Sequence, residues 1–359
     1  MIAWLGGRAP ARPFEAFQIE VTSRCNLKCV MCPVAALGER WEARDLPWET
    51  FERVAEAFGR VRWVHLQGWG EPLLHRRFFD MAARAKAAGC RVGFTTNGTR
   101  LTTANGERLL ELGVDLVAVS IAGARAATHE AIRVGSDFAG LQANLRGFAA
   151  LRRARGNPAP KLEVFYLMTR ANLVELPQAV TLAAELGADE LVATNLDYVI
   201  TPELDALRAY GPAPPAPALG AAVEAAAAAA RAAGIAFRPY RLQQREMAVC
   251  DLNPLKILYI GADGSVSPCV YTSLAGPDEI PRVFEGRPLE TPVVRFGNVN
   301  HRPLMQIWES PAYRAFRARF ARRVAGAGLA LLGTAAGAAP EEELPAPEAC
   351  RTCPKLYGI

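Results

Sequence analysis

The sequence has little histidine, 4 in 359 residues, and little excess charge, with 41 Lys and Arg against 36 Asp and Glu for a net +5. Imidazole-rich metal sites and His-centred catalysis therefore have little material to work with. His129, at a helix start, reads as a structural hydrogen-bonder without a catalytic role. No run of Lys and Arg exceeds what one solvated helix face carries, Arg317 to Arg323 included, so no nucleic-acid partner is expected. No unbroken apolar stretch reaches the roughly 18 residues that span a bilayer. The apolar run after Met1 is too short for a secretory signal, so the expectation is no membrane association and a cytoplasmic location. With 51% hydrophobic residues, the chain can bury one large core and an appended module.

Eight cysteines are present, and their grouping argues against disulfide staples: Cys25, Cys29 and Cys32 stand together, Cys350 and Cys353 form a C-x2-C pair, and Cys250 and Cys269 lie apart. Cys90 belongs to no group and reads as a buried small hydrophobe at a strand start. The trio has the spacing C-x3-C-x2-C on one short loop. Three thiolates so placed can hold three irons of a four-iron cluster and leave the fourth without a protein ligand, free to bind a small molecule. A zinc loop is the other reading, but zinc wants a fourth Cys or His close by, and the next histidine is His65.

Residues 14–200 alternate β-rich runs with helical stretches, the pattern of parallel βα units. Strands are expected at 17–21, 63–67, 91–95, 116–120, 162–167 and 190–194, with helices at 48–59, 78–88, 104–112, 138–155 and 176–186 between them. Six units predict an open, partial (β/α)6 TIM-like barrel of α/β class, with its site beyond the carboxyl ends of the strands. Those ends carry polar or flexible groups. After strand two comes Gly68-Trp69-Gly70-Glu71, where glycines permit close backbone approach and Glu71 offers a carboxylate to a ligand amine. Strand three ends in Thr96 and Asn97, strand four in Ser120, and strand five runs on to Thr169 and Asn172. Arg133 presents a guanidinium suited to a carboxylate.

The composition changes after residue 200. The Pro-rich stretch 212–217 predicts an extended linker, and Ala221 to Ala233 a helix with little face to bury. Residues 250–269 read as a β-hairpin with an Asp263-Gly264 turn, carrying Cys250 before its first strand and Cys269 at the end of its second. With Cys350 and Cys353, four thiols from three places suit a second four-iron cluster, zinc again being the alternative. The expected organisation is a 1–13 extension, a 14–200 barrel, a 201–249 linker and bridging helix, and a 250–359 module of β-hairpin plus helices. The Ala/Gly-rich stretch 324–346 is expected to form a mobile flap over the barrel mouth.

The cysteine trio, the Gly68–Glu71 turn in the place of a GGE motif, the Thr96-Asn97-Gly98 turn, the Ser120–Gly123 segment and the Thr128–Gly135 segment together resemble the radical SAM superfamily. The hairpin cysteines, the segment Phe296 to Phe316 and the C-x2-C pair are similar to that family's SPASM and twitch extensions. The sequence carries cysteines for one auxiliary cluster, so the resemblance is to the twitch form. It implies an enzyme that cleaves S-adenosylmethionine to a 5′-deoxyadenosyl radical at a [4Fe-4S] cluster on Cys25, Cys29 and Cys32. A second [4Fe-4S] cluster would sit on Cys250, Cys269, Cys350 and Cys353. It further implies Met31 near adenine, where relatives often have an aromatic residue; Gly68, Gly70 and Glu71 at the cofactor's amine; Thr96 and Asn97 at the ribose; Ser120 and Arg133 at the methionyl end; and Thr169 and Asn172 as further contacts. Ala122 stands where relatives hold an Asp, so their substrate roles do not carry over to it. A flavodoxin or ferredoxin reductant and a small-molecule or peptide substrate are the implied partners. The expected reaction is a net oxidation with the second cluster as electron acceptor. Alternatives are crosslinking of a ribosomal peptide, for which no N-terminal recognition extension is seen, a redox-neutral epimerase or cofactor-building enzyme, and a non-enzymatic iron–sulfur scaffold or electron carrier.

Overall fold

The structure is a computed structural model that describes residues 12–156, 159–331 and 344–359. All six expected strands form: β1 (Phe14–Ile19), β2 (Val61–His65), β3 (Arg91–Thr96), β4 (Leu116–Ile121), β5 (Lys161–Met168) and β6 (Glu190–Asn195). They pair in parallel and in chain order. Helices Trp48–Ala55, Phe78–Ala87, Thr103–Glu111, Phe138–Ala154 and Leu176–Glu185 make the crossovers. The helix 138–154 shows why: Leu141, Leu145 and Phe148 recur at helical spacing and are buried, while Asp137 caps its start by accepting from Gly140 N. Such faces pack on Phe17, Ile19, Val64, Val92, Phe94, Val117, Val119 and Val164 of the strands. Each fully buried Leu or Phe of this layer is worth roughly 2–3 kcal/mol in area removed from water. Alternate strand residues, Gln18 and Glu20 among them, point to the sheet's opposite face.

The strands extend further than expected on both sides. After the helix Pro217–Ala233 a seventh strand, β7 (Ala236–Pro239), pairs parallel with β6, so the stretch read as a linker also continues the sheet. That helix does have a face to bury, through Ala226 and Ala230, which corrects the expectation. At the other edge β8 (Ile257–Ile260) pairs parallel with β1, and β9 (Ser265–Ser267) returns antiparallel across the expected Asp263-Gly264 turn. A separate antiparallel pair follows, β10 (Glu279–Phe284) with β11 (Arg287–Pro292), and then β12 (Gly297–Asn298) joins β9. One sheet of ten strands, in the order β12-β9-β8-β1-β2-β3-β4-β5-β6-β7, therefore joins the barrel to the C-terminal module. Its edge strands β12 and β7 do not pair with each other, so the barrel is open.

The strand β1 ends two residues earlier than expected. Val21 leaves the sheet because its carbonyl accepts from Leu46 N, and Thr22 bridges to Asp45, so this segment pairs with the far end of the cysteine loop. Helix Pro311–Leu331 covers the start of the expected flap, and residues 332–343 of that flap lie outside the described residues, as do residues 1–11 of the expected extension. Among the described residues no helix is long and apolar enough to cross a membrane.

Candidate functional site

The carboxyl ends of the parallel strands gather the expected residues at one mouth. Immediately beyond β1, the loop carrying the trio turns through a Cys32 N to Cys29 O hydrogen bond of 3.1 Å, and Cys32 then precedes the short helix Pro33–Ala36. All three thiols are free, and they share one electrostatic environment. Burial, then the charges of Cys29 and Cys25, push the Cys32 thiol up to about 12. Burial with the charges of Glu71 and Cys29 raises Cys25 as well. Such thiols ionise only when a strongly cationic group sits among them. Met31, Cys25, Cys32 and Trp69 all pack against one apolar cluster, which includes Tyr198.

The turn after β2 is fixed to this loop by its glycines. A Cβ on Gly70 would lie 2.3 Å from Thr22 O and 2.6 Å from Arg24 O, and one on Gly68 would lie 2.4 Å from Glu20 Cγ. The close approach expected for a ligand is thus, in the first place, an approach to the chain's own backbone and to Glu20. Glu71 N donates to Arg24 O at 2.8 Å. Its carboxylate is buried and accepts from Thr96 Oγ1 at 2.7 Å, Asn97 N at 2.7 Å and Leu73 N at 3.2 Å. Burial raises its pKa against these donors. Glu71 therefore sets the end of β3, with one lone pair of Oε2 left over. Asn97 in turn donates to Asn26 Oδ1 at 2.9 Å, and its Nδ2 lies 3.9 Å from Cys25 Sγ, tying the β3 turn to the cysteine loop.

Ser120, at the end of β4, is half-buried beside this cluster of turns. Arg133 reaches toward the trio, its Nη1 4.0 Å from Cys29 Sγ, while its buried Nε has no hydrogen-bond partner among the described residues. A guanidinium so left is a site for an anion. Thr169 and Asn172 behave differently. Asn172 accepts from Thr169 N at 2.7 Å and Thr169 Oγ1 at 3.0 Å and donates to Ala122 O at 2.8 Å and Leu167 O at 2.7 Å, so its amide is fully used in joining the ends of β4 and β5. His129 is buried, accepts from Ala122 N at Nδ1, donates from Nε2 to Ser136 Oγ and stacks on Phe138, with burial lowering its pKa to about 3. It is a structural residue. Cys90 is 2% exposed, within a core of apolar residues.

The second set of thiols assembles from three segments. Cys250 precedes β8, Cys269 follows β9, and Cys350 and Cys353 flank the end of the helix Glu348–Arg351. Burial, then the charges of Cys269 and Cys353, push Cys250 up to about 12; burial and Cys353 push Cys269 up to about 11; Cys350 is raised by burial and by the other three. Arg282 of β10, buried and donating to Ala349 O and Tyr271 O, is the cation that moderates Cys269 and Cys350. Among the described residues no three His, Cys, Asp or Glu side chains are set to grip a single ion. Three thiols on one loop and four thiols from three segments are the ligand numbers of an open and of a fully ligated four-iron cluster.

Several residues at the mouth escaped the sequence reading. Glu20, the residue after β1, is 3% exposed and accepts from Trp69 N at 2.9 Å and Ala262 N at 3.3 Å, with the Tyr259 hydroxyl as a further partner. Burial pushes its carboxyl up to about 7. Its alternation with Gln18 on the inward face was the available signal. Beyond β6, Tyr198 packs at 4.8 Å against Trp69 with the two rings tilted by 56°, and its buried hydroxyl, like Asn195 Oδ1, has no hydrogen-bond partner among the described residues. Lys355 is buried against Asp197 at 2.6 Å, and Tyr271 donates to the same carboxylate at 2.7 Å.

Comparison with known proteins matches residues 19–172 to the radical SAM superfamily and residues 250–354 to the SPASM iron–sulfur cluster-binding domain. The chain is 30% identical over 305 residues, 83% of its length and 82% of the relative's, to the tungsten-containing aldehyde ferredoxin oxidoreductase cofactor-modifying protein of Pyrococcus furiosus. It is 34% identical over 201 residues, 54% of its length, to the PqqA peptide cyclase of Ruegeria pomeroyi, of which it spans about half, 51%. Among solved structures, Streptococcus suis SuiB bound to precursor peptide SuiA superposes with a TM-score of 0.62 at 15% identity, covering 85% of this chain and 67% of that one. Native anSMEcpe with bound AdoMet superposes with a TM-score of 0.58 at 16% identity, covering 85% and 83%. These structures share the partial barrel. A likeness that runs through both halves of one relative, on that common fold, places the chain in the radical SAM superfamily: it is a radical SAM enzyme with a C-terminal SPASM or twitch cluster domain, and S-adenosylmethionine and two [4Fe-4S] clusters are its cofactors.

Proposed function

We propose that this enzyme carries out a net two-electron oxidation of a substrate held between the two cysteine sets, the first cluster on Cys25, Cys29 and Cys32 and the second on Cys250, Cys269, Cys350 and Cys353. When bound, the first cluster with S-adenosylmethionine supplies a 5′-deoxyadenosyl radical that takes a hydrogen atom from an unactivated C–H bond, and the second supplies an acceptor for the electron left behind. The chain's own residues orient the cofactor. The unpartnered Arg133 Nε supports a pairing with the methionyl carboxylate, with Ser120 beside it. Thr96 and Asn97, held by Glu71, face the ribose, and the Gly68–Gly70 backbone with the remaining Glu71 lone pair takes the amine. Met31 packs by adenine. Thr169 and Asn172 act at one remove, by fixing the ends of β4 and β5.

One observation carries the reading. The buried Tyr198 hydroxyl, without a hydrogen-bond partner among the described residues, lies within electrostatic reach of Cys32 of the first set and Cys353 of the second, which supports a substrate position between the two. A substrate there donates to or accepts from Tyr198 and Asn195 in a space from which the apolar cluster excludes water. The reductant is a flavodoxin or ferredoxin. A second reading, modification of a metalloenzyme cofactor without net oxidation, is favoured by the likeness to the Pyrococcus protein over most of its length.

Anaerobic reconstitution tests the proposal. About eight irons per chain and release of 5′-deoxyadenosine and methionine are expected, and about four irons would refute the second cluster. An auxiliary cluster found reduced by electron paramagnetic resonance after a single turnover supports oxidation. One that stays oxidised while product forms supports the cofactor-modifying reading.

A further inference from the structure

We propose that the outer face of the first cysteine loop is the docking surface for the enzyme's electron donor, a small acidic flavodoxin or ferredoxin of low potential. The loop alternates. Arg24, Asn26, Lys28 and Val30 are exposed, while Cys25, Leu27, Cys29 and Met31 turn inward or are half-buried. Lys28 N donates to Val134 O at 2.9 Å and Val30 N to Ile132 O at 3.0 Å, so the loop and the segment after helix Ala126–Ile132 form one ribbon. Among the described residues four large apolar side chains are exposed, and two of them, Val30 at 42% and Val134 at 43%, share this ribbon.

An apolar centre with a charged rim is the make-up of a transient protein interface. Here the rim is basic: Lys28 makes no ion pair among the described residues, and Arg24 reaches only Asp45, at 3.6 Å. The charge selects an acidic partner and speeds its encounter. Electron transfer weakens steeply with distance, and Val30 and Arg24 are the chain neighbours of Cys29 and Cys25, so a donor seated on this face lies one residue from two ligands of the first cluster. Neither Val30 nor Lys28 has a role inside the site.

The inference rests on the reading that the trio holds a reducible cluster, and the experiment separates the two. The reconstituted holoenzyme is mixed in stopped flow with photoreduced flavodoxin, and in parallel with dithionite, while reduction of the first cluster is followed by absorbance and freeze-quench electron paramagnetic resonance. Lys28→Glu and, independently, Val134→Asp are expected to slow reduction by flavodoxin about tenfold or more, and Lys28→Glu to flatten its salt dependence, while reduction by dithionite stays as in the unaltered enzyme. Flavodoxin rates unchanged in both variants overturn the docking surface. So do unchanged flavodoxin rates with weakened substrate binding, which assign the face to substrate. If the unaltered enzyme gives neither a dithionite-reduced signal nor 5′-deoxyadenosine, the underlying reading of the trio has failed.

Discussion

The two cysteine sets reach similar chemistry by opposite routes. The trio comes from one loop, steadied from other units by Gly70, Glu71, Asn97 and the carbonyls of Ile132 and Val134. The quartet depends on β8, β9 and the helix Glu348–Arg351 coming together, and the buried Arg282 and Lys355 hold that arrangement in place. A locally built site tolerates changes in distant packing, whereas one built from three segments inherits the stability of all of them.

Removing ligands from each set in turn draws the sharpest contrast. Replacing Cys25, Cys29 and Cys32 by Ala is expected to halve the iron content and to reduce 5′-deoxyadenosine release by more than about a thousandfold. Cys269→Ala should leave that release within about threefold and abolish oxidised product. Equal losses from both would erase the division of labour. Next comes the support of the quartet. Lys355→Met leaves Asp197 buried without its cation and should cost about 3 kcal/mol in a denaturant titration, with iron lost first from the second cluster. If the first cluster is lost instead, the two sites are not independently built.

Acidity gives the third effect. Glu20 joins β1, the turn after β2 and the β8–β9 turn, and its carboxyl is raised from the ordinary 4.5 to about 7. The folded form therefore holds the proton more tightly than the unfolded form. Stability is fully present below about pH 4.5 and falls as pH rises toward 7, by about 3 kcal/mol in order of magnitude. In Glu20→Gln this part of the pH dependence should vanish, and an unchanged slope would remove Glu20 from the junction. The smallest effect is expected of Trp69→Phe, which forfeits the 3.1 Å hydrogen bond from the indole to Ser273 O and should cost about 1 kcal/mol.

Much of the barrel was legible in the sequence because helical and strand periods are local. The expected helix 138–155 is observed at 138–154, and the strand at 91–95 is observed at 91–96. The cysteine spacing named the trio for the same reason. What escaped was pairing. Ala236–Pro239 is a four-residue strand with a terminal proline that makes sense only against β6, and β8 reads as a hairpin arm until β1 is seen to take its other side. At the site, residue types were found more easily than their partners. Glu71 and Asn172 look from the sequence like ligand contacts, and the structure gives most of their hydrogen bonds to neighbouring turns. Glu20 and Tyr198 went unnoticed because their significance lies in what surrounds them.

Strand β1 is bordered by β2 on one side and by β8 on the other, and β8 begins only at Ile257. While the polypeptide is being made on the ribosome, the trio's loop and most of its scaffold emerge with one flank of β1 still bare. A bare strand flank invites pairing with other chains. Late closure also means that the trio's loop is made well before Cys350 and Cys353 complete the second thiol set.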